Sequence, residues 1–532
     1  LDVSNTGKML SSFQIFLNGS WRKSYTPQEI FEEFKECGCD LEHPFIQPIG
    51  ASETTRVNTF SDCNINRIAA FVGRQTATHL EPDPKTLSEF EKYVQHTYKT
   101  EDRDKILEAI KNTKPKTVEE MIEEADIPGG KKKFYLKAYA NVLEKGKLEP
   151  NTDFHINYFA KKEEKNVLKN SQDIIAAEID EQNRSDKTRG ISCPSEALLI
   201  CGWVVNRILL PATKAAIPEI MLGYNDENLA EELTERLYEL SHNNGVDFDD
   251  IKTISIDGSS HDTHQDVALL KIVDNYIIQD LWKHIHSRIL APDWFIRGCL
   301  MACTMLKIRF YCANKVTGKE LYKATVEGTV FSGHATRTTW GNSIRVRYFM
   351  RFVLWKAKIA PQNYKLQVTG DDTMIKILAR CVKAFQDTIY KYYSAKKEGV
   401  HGLGQCAKMV KISNFHDQDY LSRDSVWHNG KLIVFRKISK VLPTICVTNK
   451  WVGKKEDFWM QFMYATGHQM ISWGGDIPLY RELALALMEN GTAADKKFIE
   501  ANFKDILKKG YDRKIKAPEF DTEKDAIIIE MW

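Results

Sequence analysis

Two hydrophobic periodicities alternate along the chain. Between Pro84 and Tyr98, Leu87, Phe90 and Val94 recur at helical spacing behind a Pro-Lys start, which predicts an amphipathic helix. Pro128-Gly-Gly ahead of Lys131, Lys132 and Lys133 marks a turn with a dense positive run. The polar stretch from Ala160 to Gly190 gives way to an apolar helical run from Ala197 to Leu210. From Thr253 the period shortens: Ile254 and Ile256 alternate with polar residues and lead into Asp257, so a strand ends on a carboxylate. A helical pattern follows from His264 to His284, and a second begins after Ser332-Gly333 and runs from about Thr338 to Trp355. Tyr364 to Thr369, Gly370-Asp371-Asp372, and Thr373 to Leu378 read as strand, tight turn, strand. The tail from about Lys450 is helical in pattern and ends in an apolar run at Ile527 to Ile529. Elements in this order predict an α/β or α+β core, of which α+β is the fold class expected here.

Composition narrows the class. A chain of 532 residues predicts two or three structural units. With 43% hydrophobic and 27% charged residues it reads as a soluble globular protein rather than a disordered one. A formal charge of +2 excludes a surface that binds polyanions all over, so any nucleic acid must meet positive charge concentrated in a groove. The 11 cysteines include no Cys-x-x-Cys pair, which argues against a disulfide framework and suits a reducing compartment. Cys37, Cys39, His43 and Cys63 lack the usual spacing of a structural zinc site and read as ordinary thiols. No segment reads as membrane-spanning: Ala197 to Leu210 is short and interrupted by Asn206 and Arg207. Leu1 to Lys8 shows no signal-peptide pattern.

The candidate chemistry begins with Asp371 and Asp372. Adjacent carboxylates in a tight hairpin repel each other, and a divalent cation resolves that conflict, since hard oxygen ligands suit Mg²⁺ or Mn²⁺. A strand-end Asp257 on a neighbouring strand completes such a metal site. Singly each signal is weak, because Gly and Asp are simply good turn formers; their order carries the reading. Asp257-x4-Asp262 follows a strand, Ser332-Gly333 precedes a helix with Thr338 and Asn342, and Gly370-Asp371-Asp372 forms a hairpin.

In these blocks the chain resembles the palm of RNA-dependent RNA polymerases of positive-strand RNA viruses, with the flavour of tombusvirus-like and nodavirus-like enzymes. Phe159-Ala-Lys161-Lys162-Glu163 with Lys187-Thr-Arg189-Gly190-Ile191 and Pro194 is similar to the basic fingers motif of that family. Gly402-Leu-Gly404 with Lys408, and Tyr420-Leu-Ser-Arg423, look like its later palm motifs, and the stretch from Pro128 to Tyr139 resembles a basic segment upstream. The likeness covers roughly residues 85 to 440. One departure stands out: the family sets three residues between Ser-Gly and the helix Thr, whereas His334 to Arg337 makes four.

The resemblance implies a right hand: an N-terminal region with fingertips over 1–158, fingers over 159–250 and 276–324, palm over 251–275 and 325–440, and thumb over 441–532. It implies nucleotidyl transfer from NTPs by two ions of Mg²⁺ or Mn²⁺. Asp257 and Asp371 are the first-choice ligands and Asp372 an auxiliary one. Asp262, Ser332, Thr338 and Asn342 are expected to read the ribose, where a bond to the 2′-hydroxyl separates NTPs from dNTPs. Lys162, Lys187 and Arg189 are expected at the triphosphate. Lys408, with Lys411 as rival, is the candidate general acid. Template and product RNA, NTPs and other viral replication proteins are the implied partners, in host cytoplasm at membrane-associated complexes. A reverse transcriptase, a two-metal nuclease and a catalytically dead RNA-binding scaffold are the competing readings. The first two fit the Asp262 and Asn342 pair poorly, and the third is at odds with intact aspartates at 257, 371 and 372.

Overall fold

A computed structural model describes residues 15–17, 20–22, 47–48, 55–60, 62–75, 81–161, 163–168, 190–258, 261–393, 402–437, 441, 447–448, 454–495, 497–499 and 521–530. The fold mixes helix and sheet, as the two periodicities require. Two four-stranded sheets organise it.

The first sheet runs Glu320–Glu327, Lys307–Ala313, His155–Ala160, Gly190–Pro194. Its outer pairs are antiparallel, and the central pair, Lys307–Ala313 with His155–Ala160, is parallel. The second is wholly antiparallel, in the order Tyr364–Thr369, Asp372–Leu378, Ile251–Gly258, Ala407–Asn414. Ile251–Gly258 is flanked on both sides, and Ile251, Thr253, Ile254, Ser255 and Ile256 are all buried. Its β-branched residues suit a strand that packs on both faces.

Helices cover these sheets. Pro84–Thr97 starts where Asp83 accepts a bond from Thr86 N–H at 2.7 Å, with Pro84 in the first turn. Pro128 caps the helix Gly129–Lys145, and Lys131, Lys132 and Lys133 occupy its first turns. The apolar run is longer than its sequence pattern: Glu196–Ala216 is 21 residues, long and apolar enough by length and composition to cross a membrane. In this fold 67% of its apolar window is buried, and it joins the main core through Ile200, Val204, Val205, Ile208 and Leu209. A second core binds Asp226–Asn244 to the antiparallel sheet through Leu233, Leu237, Met374 and Leu378. A third gathers the C-terminal helices Glu456–Gly474, Pro478–Glu489 and Thr522–Glu530 around Met470, Tyr480 and Ile528.

Two helical expectations came out segmented. The pattern from His264 to His284 resolves into a 3₁₀ turn at His261–His264, a short α-helix at Val267–Leu270, a π-helical turn at Lys271–Asn275 and an α-helix at Tyr276–His286. The pattern from Thr338 likewise begins as a π-helix, Ala335–Gly341, and becomes α-helical only over Asn342–Lys356. A π turn closes its hydrogen bond one residue later than an α turn, so it takes up an extra residue without breaking the helix.

Candidate functional site

The hairpin is built by its turn. Thr369 pairs with Asp372, leaving Gly370 and Asp371 as a two-residue connection. Gly370 has φ +63°, and a glycine with positive φ at the first turn position is what a II′ hairpin demands. Asp371 stands exposed at the apex; Asp372, the first residue of the next strand, is half-buried. On the neighbouring strand Thr373 pairs with Ile256. The register therefore carries backbone position 257 level with 372, and adjacent strands lie about 4.8 Å apart. The ladder thus sets Asp372 level with Asp257 and Asp371 one residue beyond.

On the other edge Asp257 pairs with Met409, and the register shifts between Ala407 and Met409. Lys408 thus occupies the β-bulge beside Asp257. Lys411 pairs with Ser255, further down the strand, and is exposed. A bulge at this place re-aims one residue without ending the ladder.

The helix that follows the Ser332 loop reaches the hairpin at Ser343. Gly333 has φ +106°, and a Cβ there would collide with the Ser192 carbonyl. That close approach seats the loop on Gly190–Pro194, the strand that continues directly from Arg189. Ser332 is exposed. Thr338 donates its hydroxyl to the Phe331 carbonyl at 2.8 Å, so this side chain closes the loop. His334 is buried; its Nδ1 accepts from Arg337 N–H at 3.1 Å and its Nε2 donates to the Ala302 carbonyl at 2.9 Å. Burial, with the Arg337 charge beside it, pushes its pKa down to about 3, which keeps the ring neutral.

Asn342 is buried, and its Oδ1 accepts from the Arg345 guanidinium. Asp262 sits half-buried on the 3₁₀ turn His261–His264, and its backbone carbonyl accepts from Val330 N–H at 2.9 Å. The turn and the Ser332 loop are thereby stitched together. Next to Asp262, the buried His261 ring lies against Asn342, and burial foremost pushes its pKa down to about 3. Two contacts then tie the hairpin in place. Gly370 N–H donates to Ser343 Oγ at 2.9 Å, and Thr369 Oγ1 meets the buried Tyr420 hydroxyl at 2.6 Å.

The blocks centred on 257, 262, 332–342, 370–372 and 408 therefore converge on one end of the antiparallel sheet. Lys162, Lys187 and Arg189 lie outside the described residues, as do Cys37, Cys39 and His43; Cys63 is buried. Among the described residues no three His, Cys, Asp or Glu side chains cluster as a metal site. The fit to a divalent ion rests instead on the backbone register, which sets Asp257, Asp371 and Asp372, all hard oxygen donors, at one sheet end. Ser343, Gln265, Arg345 and Gln405 escaped sequence reading altogether, because their roles are contacts with distant segments.

No protein-family model matches the chain, and no curated protein matches it.

Proposed function

We propose that the chain is an RNA-dependent RNA polymerase of the positive-strand viral kind, a right hand whose palm is the antiparallel sheet with Asn342–Lys356 behind it. The observation that carries the reading is the register bringing position 257 level with 372, beside the Gly370-Asp371 turn. The Asp262 turn follows closely on Ile251–Gly258, and it is hydrogen-bonded to Val330 ahead of the Ser332 loop and to Gln405 ahead of Ala407–Asn414.

Asp257, Asp371 and Asp372 are the residues to hold Mg²⁺ or Mn²⁺. Bound there, the ions supply Lewis acidity at the attacking hydroxyl and charge neutralisation at the leaving pyrophosphate. The chain's own residues set the substrate. Asn342 and Asp262 present polar groups to the ribose, and a site with buried groups left unpaired by a missing 2′-hydroxyl penalises dNTPs. Lys162, Lys187 and Arg189 are assigned to the incoming triphosphate by the resemblance of their motif, as planar-fork and point-charge partners of phosphate. Lys408 at its bulge is the general acid for pyrophosphate. Ser332 and Thr338 complete the ribose pocket, with the Thr338 hydroxyl oriented by its bond to the Phe331 carbonyl.

The test is template-directed incorporation on an RNA primer–template, with NTPs or dNTPs and with Mg²⁺ or Mn²⁺. Template-dependent extension by NTPs is expected. RNA binding with no incorporation under any of these conditions would replace this reading with the scaffold one.

A further inference from the structure

Behind the hairpin runs a chain of buried polar side chains to which the proposed chemistry gives no part. Arg345 is fully buried. Its Nη1 pairs with the Asp274 carboxylate, its Nη2 donates to Asn342 Oδ1 and, at 3.3 Å, to the Arg337 carbonyl, and its Nε donates to Gln265 Oε1 at 3.1 Å. Gln265, also fully buried, donates from Nε2 to the His261 carbonyl at 2.8 Å and to Gln405 Oε1 at 2.9 Å. Gln405 Nε2 in turn donates to the His264 carbonyl at 2.8 Å. The two carbonyls held by the glutamines are the first and last of the 3₁₀ turn that carries Asp262.

The guanidinium is a planar fork with its N–H groups in fixed directions. Gripped by Asp274 on one side and Gln265 on another, it sets the plane in which the Asn342 amide must lie. The same fork fixes Gln265, and through it both ends of the Asp262 turn. A lone Asn at a cleft would sample rotamers, whereas one tied to a buried fork holds a single geometry. Selection between two sugars that differ by one hydroxyl needs that, since small misplacement of a reader erodes the difference it reads.

We propose that Arg345, Gln265 and Gln405 are positioning residues for ribose selection, holding Asn342 and the Asp262 turn at one fixed separation. The inference rests on the polymerase reading and adds to it a network outside the substrate. Because Gln405 lies three residues before Lys408, the network also joins the sugar readers to the segment that carries the general acid.

The experiment is single-nucleotide incorporation by the full chain, comparing kcat/KM for an NTP with that for its dNTP. Wild type, Arg345→Lys, Gln405→Ala, Asn342→Ala and the Gln405→Ala/Asn342→Ala double variant are measured. Each network variant is expected to cut the NTP-over-dNTP ratio by about tenfold or more, mostly through a higher KM for the NTP. The double variant should lose little beyond Asn342→Ala alone, as coupled residues do. Equal falls for both sugars, with the ratio unchanged, overturn the positioning role and leave a purely structural one. If Arg345→Lys does not fold, Gln405→Ala at the outer end of the chain decides. A wild type that incorporates neither sugar overturns the polymerase reading and this inference with it; a wild type that discriminates while the variants discriminate equally overturns the inference alone.

Discussion

Two kinds of carboxylate, differently placed, divide the work in this molecule. Asp102 and Asp274 are buried on π-helical turns and surrounded by cation. Asp102 accepts from Arg347 at 2.6 and 3.0 Å and from the Tyr348 hydroxyl at 2.6 Å. Asp274 pairs with Arg345 and, at 3.1 Å, with Arg337. Asp371, by contrast, is exposed at a hairpin apex beside the half-buried Asp372. A buried charge persists only when paired, and it is then committed to its partner. Asp371 at the open turn stands instead within reach of solvent, where a cation can approach it. The first kind fixes the helix Asn342–Lys356, and the second belongs to the metal site proposed above.

The sharpest way to break that division is to swap the losses. Asp371→Ala should reduce RNA synthesis by about a thousandfold or more, ~4 kcal/mol in transition-state terms, with RNA binding and urea unfolding nearly unchanged. Incorporation kinetics beside filter binding read both. Near-normal synthesis would remove Asp371 from the metal site.

Asp274→Ala should do the reverse. It strands two buried guanidinium groups, and breaking one side of a buried ion pair costs about 3–5 kcal/mol. Urea unfolding should show a loss of that size. The space is already tight: a Cβ on Gly341 would lie 2.7 Å from Asp274 Oδ2, so Gly341→Ala is expected to lose stability by the same route. Unchanged unfolding in both variants would mean the arginines find other acceptors.

Lys376 sharpens the comparison from the other sign of charge. It is fully buried in Asp372–Leu378, and its Nζ donates to Thr253 Oγ1 at 2.8 Å and to the Phe415 carbonyl at 2.6 Å. Neutral acceptors do not compensate an ammonium, and burial pushes its pKa down to about 7. The folded state thus resists protonation that the unfolded chain accepts up to about pH 10.4. By linkage, stability rises as pH climbs from about 7 towards that value, and the penalty is complete below about 7. Lys376→Met should therefore stabilise the protein by a few kcal/mol at pH 6, with the gain shrinking through pH 8 and nearly gone at pH 10. Urea titrations at the three pH values check it; a gain that does not depend on pH would show that packing, not charge, is responsible.

What the sequence revealed follows the same divide. The hairpin was legible because a II′ turn is specified by adjacent residues, Gly370 and Asp371, and its strands by period-two alternation. Asp257 at a strand end was legible for the same local reason. Asn342–Lys356 was legible as a helix, but not as one buried on every side, because Arg345, Arg347 and Arg351 look like a solvated face until their acids are found. Those acids, Asp274, Asp102 and Glu101, lie 71, 245 and 250 residues away. No spacing rule links them. The π turns were hidden too: a residue added to a helix leaves the hydrophobic pattern nearly intact while changing which residues face the core. The bond from Thr338 to the Phe331 carbonyl was hidden as well, since only the folded loop brings the two together.

The smallest expected effect lies where the two regions touch. Ser343 is buried on the arginine helix, donates to the Thr339 carbonyl at 3.2 Å and accepts from Gly370 N–H at 2.9 Å. It is the hydrogen bond through which the committed, buried side of the site steadies the open hairpin. Ser343→Ala leaves the Gly370 amide without that acceptor and should cost about 1 kcal/mol of stability. If the bond only contributes to folding, kcat and KM will stay at wild-type values once the protein is folded. If it holds the apex carboxylates in place, kcat should fall several-fold while KM for RNA is unchanged, and higher Mn²⁺ should recover part of it, because a looser carboxylate pair binds the ion more weakly. Ser343→Thr, which keeps the hydroxyl, should behave like wild type in both measurements. A kcat loss in Ser343→Ala that Mn²⁺ does not relieve would place the defect in the helix rather than in the hairpin it steadies.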